Sequence, residues 1–324
     1  MSVIVTAERG KKDVSAMRDA YVKTLIRLAK TNREIVTLDA DLSSCIGMER
    51  FAAEYPKRFI NCGIQEANMM GVAAGLAAVG KVPFVHTFGP FATRRSFDQV
   101  FISIAYAGLS VRIIGSDPGV TAAFNGGTHM PFEDGALMRT VPGATVADAC
   151  DCVQMEALTS MAADNPGLTY IRMPRKDVMK VYEAGSEFTF GKANELRDGE
   201  QVTIIASGIL VDEALQAADL LAGEGISAAV LDMFTWKPLD TEAVAKWAAK
   251  TGALVTAENH NIIGGLGSAV AEAVCELCPV PVERVGALDR FDQVGPQAFL
   301  MDEYNMRAAD IAAAAKRAIA RKRA

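Results

Sequence analysis

Apolar residues follow two alternating rhythms along this chain. Over residues 13–31 they fall three and four apart, so Met17, Ala20, Tyr21, Thr24, Leu25 and Leu28 share one stripe. That spacing predicts an amphipathic helix. A short apolar run at 35–39 follows and reads as a buried strand. The same alternation gives strands at 59–62, 82–87 and 111–115, and helices at 65–79 and 93–106. Segments 133–140, 145–146, 151–163 and 169–172 complete the first half. Residues 177–199 break the rhythm; they are polar and contain Gly185, Gly191 and Gly199, which predicts a linker or surface excursion. Strands at 202–206, 228–231, 254–257 and 282–285 then resume, with helices between them and a closing helix at 307–322. Short strands alternating with helices imply mostly parallel sheets covered on both faces. The expected fold is α/β with two doubly wound domains, 1–185 and a smaller 195–324, divided near residue 190.

Composition narrows the partners. The chain has 324 residues and is 50% hydrophobic, enough for two ordinary cores. A net charge of −6, with both signs well mixed, argues against nucleic acid or an anionic membrane as partner. The basic end, residues 316–323, reads as favourable charge at a helix C-terminus. The first residues are charged without an apolar core, so no signal peptide is expected. The uncharged stretch 67–80 falls short of the roughly 20 residues of a membrane span. A soluble, cytoplasmic protein is expected. Six cysteines include two close pairs, Cys150 with Cys152 and Cys275 with Cys278. Neither pair sits in a turn-rich knuckle, so buried thiols in a reducing compartment are expected rather than a metal site or disulfide.

Four segments carry candidate chemistry. Glu66 stands at a helix start, and Met69, Met70 and Ala73 follow three, four and seven residues on. The stripe that enters the core therefore also carries the carboxylate, which is costly unless something polar meets it. A solvent-facing acid that balances the helix dipole is the competing reading. Phe88 and Phe91 close an apolar strand at its C-terminal end, where open parallel sheets bind ligands and aromatic faces can hold a flat heterocycle. Ordinary core packing is the alternative. His129 follows Gly126, Gly127 and Thr128 in a glycine-rich loop, suited to proton exchange near neutral pH. Residues 258–268 join a strand to a helix through Gly264 and Gly265 but lack the spacing of a phosphate loop, so a structural turn is expected.

In order and spacing, these segments resemble the transketolase family along essentially the whole chain. The strand end Asp39-Ala40-Asp41-Leu42, the Glu66 helix, the Phe88–Phe91 turn, the Thr128-His129 loop, the strand Ile171-Arg172-Met173-Pro174-Arg175 and the Gly264-Gly265 turn carry the likeness. It implies a pyrimidine-binding domain followed by a C-terminal domain, with thiamine diphosphate as cofactor. Glu66 and His129 are then the catalytic pair. Glu66 matches the acid that donates to a ring nitrogen of the aminopyrimidine and stabilises its imino form, the base that activates the cofactor. Phe88 and Phe91 match the aromatic clamp, and Asp41 an acid close to the cofactor. Arg94 takes a cofactor-side place where the family often has Tyr. His129 matches the histidine at the sugar carbonyl, and His86 falls beside the clamp, toward substrate. Asn125 replaces a family acid in the glycine-rich loop. Of the set that holds an acceptor phosphate, Arg175 remains, while Cys45 and Asp117 replace a Ser and a His.

The family binds the diphosphate and a divalent metal through Gly-Asp-Gly and a later Asn, and this sequence has no Gly-Asp-Gly. The resemblance therefore implies an N-terminal-type transketolase subunit as partner, carrying Mg2+ or Ca2+, in a heterotetramer. This chain would be the small subunit, inactive alone. The implied reaction passes a two-carbon ketol unit from a ketose to an aldose, with a sugar or sugar phosphate as substrate. Rival readings are a beta-type subunit of a 2-oxo acid decarboxylase or dehydrogenase, a deoxyxylulose-phosphate-synthase-like enzyme, or a diverged non-catalytic subunit. The Thr128-His129 loop followed by Glu133-Asp134 favours transketolase over the other enzymes, and retention of Glu66 and His129 opposes the last.

Overall fold

Six short runs of the first half form β1 (Ile35–Asp39), β2 (Phe59–Asn61), β3 (Val82–Phe88), β4 (Arg112–Ser116), β5 (Thr145–Asp148) and β6 (Thr169–Met173) in the computed structural model, which describes residues 3–291 and 293–322. Residue 323 of the basic end lies outside the described residues. The strands pair in the order β2-β1-β3-β4-β6-β5, all parallel. β1, β4 and β6 are buried at every position, which is why they read as continuous apolar runs rather than alternating ones. Helices Met17–Thr31 and Cys152–Asp164 cover one face, packing Tyr21, Leu25 and Leu158 with Phe84 and Ile114. Helix Glu66–Ala78 and the π-helix Gln99–Tyr106 cover the other, with Met69, Met70 and Ile104 packed with Val85 and Ile113.

The second half builds β7 (Asn194–Arg197), β8 (Val202–Ala206), β9 (Ala228–Asp232), β11 (Leu254–Asn261) and β12 (Val282–Ala287), ordered β12-β11-β8-β9-β7 with β7 antiparallel. Between β9 and β11 the chain does something the sequence does not announce. Strand β10 (Thr235–Lys237) crosses back and adds to the first sheet, antiparallel to β5. Its Trp236 is buried against Gly135, where an added Cβ would meet the indole ring at 2.2 Å. The two halves thus share one core, in which Trp236, Val244 and Leu266 join Met69, Val85 and Met138.

Residues 177–199 are not a loose excursion. Thr6 and Lys12 bridge to Tyr182 and Met179, and β7 lies within the stretch. Its backbone is tied to buried acid: Asp151 Oδ2 accepts from the N–H groups of Val181 (2.9 Å) and Tyr182 (2.7 Å). Tyr182 Oη donates to Asp232 Oδ2 at 2.6 Å, as does Gln154 Nε2, while Asp232 Oδ1 has no partner. Burial pushes the Asp232 carboxyl up from its ordinary 3.8 to about 7. The folded chain therefore binds more protons than the unfolded chain between those values, and this group's contribution to stability falls as pH rises through that window. Asp232→Asn keeps an oxygen for both donors and removes the ionisation. It should raise Tm at pH 8 and make the decline in Tm from pH 5 to pH 8 shallower. An unchanged decline would reject this account.

A second polar network joins the halves. Arg172 of β6 is fully buried and bonds Asp134 through Nε (2.8 Å) and Nη2 (3.1 Å), Asp148 through Nη1 (3.0 Å), and the Asn259 carbonyl through Nη2 (2.8 Å). Ser207 Oγ donates to Asp148, and Trp236 Nε1 to Ser207. Asn259 in turn accepts from Val120 N and donates to the Pro118 carbonyl.

Candidate active site

Parallel pairing brings the C-terminal ends of the first sheet to one edge, the edge where such sheets bind ligands. Asp41 follows β1, Glu66 follows β2, Phe88 ends β3, Asp117 follows β4 and Arg175 follows β6.

Glu66 is set by the turn before it. Gly63 takes a left-handed conformation (φ 68°), and its N–H is held by Asn61 Oδ1 at 2.9 Å. The same Asn61 side chain bonds Asp41 twice, accepting from its N–H (3.2 Å) and donating to Oδ1 (3.0 Å). Asp41 thereby clasps the ends of β1 and β2. Helix Glu66–Ala78 starts on Glu66 itself, and Met69, Met70 and Ala73 on the same stripe are fully buried. Glu66 is 3% exposed, so the acid faces inward rather than into solvent. Its Oε1 accepts from Arg95 Nη1 at 2.9 Å.

Three rings meet beside it. Phe88 and Phe91 stand 6.1 Å apart, and His129 lies 5.4 Å from Phe88 and 5.1 Å from Phe91, all near perpendicular, the edge-to-face arrangement aromatic rings prefer. The expected helix at 93–106 is interrupted. Thr93 Oγ1 donates back to the Gly89 carbonyl (2.7 Å) and Ser96 Oγ to the Phe91 carbonyl (3.0 Å), so residues 93–96 form a turn and the π-helix begins later. This turn carries Arg94 and Arg95, which part company. Arg95 places its guanidinium 3.7 Å over the Phe91 ring. Arg94 turns the other way, to Glu133 Oε1 (2.8 Å) and the Thr128 carbonyl (3.3 Å), and braces the His129 loop. A 420 Å³ cavity lined by Arg94, Phe132, Glu133, Asn261 and Phe291 opens beside it.

Thr128 Oγ1 lies 2.8 Å from His129 Nδ1 and orients the ring. Partial burial, then the Arg95, Arg175 and Arg94 charges, hold this imidazole below its ordinary value against the pull of Asp117, so it is neutral at pH 7. Asn125 is exposed in the same loop. Arg175 gives Asp117 two close contacts to Oδ2, from Nε (2.6 Å) and Nη2 (2.5 Å), and its guanidinium stands 4.8 Å from the Phe88 ring. Asp117 is buried and left-handed (φ 56°) at the end of β4.

Three sequence expectations change here. His86 does not face the mouth of the site: it is fully buried, with Nδ1 3.4 Å from Asp39 Oδ2, because the β1–β3 register sets Asp39 opposite it. Arg94 is turned to the loop, while its neighbour Arg95 reaches Glu66 and Phe91. Cys275 is exposed, not buried; its position on helix Leu266–Leu277 points outward, while Cys150 and Cys152 are buried and all six thiols are free. The Gly264-Gly265 turn is structural as expected. Leu266 N and Gly267 N both donate to the buried Glu258 carboxylate, at 2.7 and 2.8 Å, so this helix start is already occupied. Sequence reasoning missed Arg95 and the Asp117–Arg175 pair; the Phe91 to Arg95 spacing of four was the available signal for the first.

Residues 13–180 match the family described as transketolase, pyrimidine binding domain, and residues 191–311 match transketolase, C-terminal domain. The chain belongs to the transketolase family. Among transketolases it is 50% identical, over 306 residues covering 94% of this chain and 95% of the relative, to the 6-deoxy-6-sulfo-D-fructose transketolase subunit SqwH of Clostridium sp. (strain MSTE9). It is 41% identical over 275 residues, 85% of this chain and 88% of the relative, to one of the subunits of the apulose-4-phosphate transketolase of Phocaeicola vulgatus. In structure it is similar to a chain described as split gene transketolase, inactive beta4 tetramer, with a TM-score of 0.88 and 43% identity over 95% of this chain and 99% of that one.

The donor set of this transketolase chain suits one half of a cofactor. A buried carboxyl linked through Arg95 to the Phe91 ring fits a heteroaromatic ring with a nitrogen at its edge. Among the described residues no group of three or more His, Cys, Asp or Glu stands close enough to hold a metal ion, and no helix is long and apolar enough to cross a membrane.

Proposed function

We propose that this chain is the pyrimidine-binding subunit of a two-chain transketolase that moves a two-carbon ketol unit from a ketose to an aldose. The observation that carries the reading is the inward-facing Glu66 beside Phe88, Phe91 and His129 at the sheet's carboxyl edge. Thiamine diphosphate, when bound, supplies the carbon nucleophile that opens the sugar's carbon–carbon bond. This chain's residues do the rest of what falls on its side. Glu66 holds a proton toward the ring nitrogen. Phe88 and Phe91 orient the ring and keep water from it. Asp41 fixes Asn61 and thereby the Gly63 turn that aims Glu66. His129, neutral and steadied by Thr128, exchanges hydrogen bonds with the sugar through the ring nitrogen that Thr128 leaves open.

At the acceptor end the chain offers Asn125, uncharged, and Arg175, whose charge is matched by Asp117. Such a pair presents donors and acceptors to hydroxyl groups more readily than a lone cation to a phosphate. An anionic end, if the substrate has one, falls to the partner. The diphosphate and its Mg2+ or Ca2+ likewise belong to an N-terminal-type subunit, in a tetramer of two chains of each kind. A relative described as an inactive tetramer of beta chains supports the view that this subunit does not work alone.

The test is reconstitution. This chain alone, with thiamine diphosphate and Mg2+, should show no ketol transfer; with a partner carrying Gly-Asp-Gly it should show transfer in a coupled aldose assay. Phosphorylated and unphosphorylated aldoses compared at equal concentration read the acceptor end. Decarboxylation of a 2-oxo acid without ketol transfer would reject the reading.

A further inference from the structure

Arg95 holds both of the groups that a bound ring needs. Its Nη1 is 2.9 Å from Glu66 Oε1, and its guanidinium lies 3.7 Å over Phe91. We propose that Arg95 is a determinant of cofactor loading: it occupies Glu66 and a face of Phe91 in the cofactor-free chain, and thiamine diphosphate must displace it to bind. The proposal rests on the reading of Glu66 and Phe91 given above.

Space makes the two arrangements compete. The guanidinium covers a face of Phe91 and sits against Glu66 Oε1, the two surfaces a clamped ring would use. A hydrogen bond from Glu66 to a ring nitrogen needs the protonated acid. A protonated Glu66 can still accept from Arg95 while donating to the ring, so it is the shared face of Phe91 that makes seating the ring mean releasing Arg95.

Burial makes the exchange practicable. The Glu66 side chain is 3% exposed and the Arg95 side chain 46%. A buried acid without a partner is strongly disfavoured, so Arg95 serves as its partner until another arrives. The guanidinium itself loses little by swinging out, since its charge is already half in water and its stem can lie along the surface. Its backbone sits in the 93–96 turn rather than in a helix, and among the described residues Glu66 is the hydrogen-bond partner of its guanidinium. Arg94 shows the contrast. Bonded to Glu133 and to the Thr128 carbonyl, it has two ties that a ring at Glu66 does not touch.

The test uses the reconstituted complex and thiamine diphosphate with Mg2+ as the probe. Arg95→Met keeps most of the stem and removes the charge. It should bind the cofactor roughly threefold to tenfold more tightly than the wild type and load it faster. Arg95→Lys, which keeps a charge for Glu66 but has no flat group for Phe91, should fall between. Melting separates a latch from a brace. Without cofactor the Met variant should melt below the wild type, and the difference should vanish on loading. An unchanged or weaker cofactor affinity in Arg95→Met, or an equal loss of Tm with and without cofactor, overturns the proposal alone. Failure of the wild-type complex to take up any cofactor overturns both it and the functional reading.

Discussion

Glu66→Gln in the reconstituted complex should retain cofactor and lose turnover by about 10²–10⁴-fold, the usual range for removing a positioned acid–base group. The substitution is nearly isosteric, and the helix that starts at residue 66 should keep its stripe of Met69, Met70 and Ala73 in the core. An amide can still donate one hydrogen bond to a ring nitrogen, so cofactor affinity should move only a few-fold. What it cannot do is shift a proton toward the ring as the imino form develops. The expected signature is therefore a fall in kcat with a nearly unchanged dissociation constant for thiamine diphosphate. Stability should change little. The amide keeps an oxygen at the place where Glu66 Oε1 accepts from Arg95 Nη1. Steady-state kinetics at saturating cofactor, with the constant measured separately by titration, check both halves. Full turnover in the Gln variant would leave this chain as a non-catalytic companion of its partner, despite its inward-facing acid.

The parts of this molecule that were legible in advance are those whose cause is local. β1, β4, β6, β8 and β9 are enclosed on both faces, and enclosure writes a continuous apolar run. Glu66 was marked by the stripe it shares, and Phe88 and Phe91 by their place after a strand. The illegible parts depend on distant partners. β10 is three residues long, too short for any period, and its place comes from Trp236 reaching Gly135 and Ser207. β7 is an edge strand with half-exposed polar residues, so it read as linker. The π-helix has the same apolar spacing as an ordinary helix, and the hydroxyls of Thr93 and Ser96 decide the break before it. Arg95 and Glu66 lie 29 residues apart, and nothing in either segment names the other. His86 misled for a related reason. Its nearness to Phe88 in sequence was visible, but the strand register that faces it with Asp39 was not.

Arg172→Met should produce the largest stability loss of any single change considered, about 3–5 kcal/mol, the range for removing one partner of a buried ion pair. Methionine nearly fills the stem's volume, so cavity formation is a minor part of the effect. The larger part falls on Asp134 and Asp148, both buried, which lose their shared cation. Burial by itself raises the Asp134 carboxyl; Arg172, helped by Tyr170, outweighs it and holds the group below its ordinary value. Without the guanidinium, burial is left to act, and the folded variant must protonate this acid or solvate it. The loss should therefore grow with pH, smaller at pH 5 than at pH 8, since the variant's folded state now binds the extra proton. Adding Asp134→Asn and Asp148→Asn to Arg172→Met removes the stranded charges and should recover part of the loss, a coupling that denaturant titration of the four combinations would measure. The consequence reaches the active site through Asn259. Its carbonyl accepts from Arg172, and its side chain holds Val120 and Pro118, which open the segment leading to His129. Arg175 lies three residues beyond Arg172 on the same strand exit. A loss below about 1 kcal/mol would mean that water replaces the guanidinium without strain, and that the join between the halves is carried instead by Trp236 and the apolar core around it.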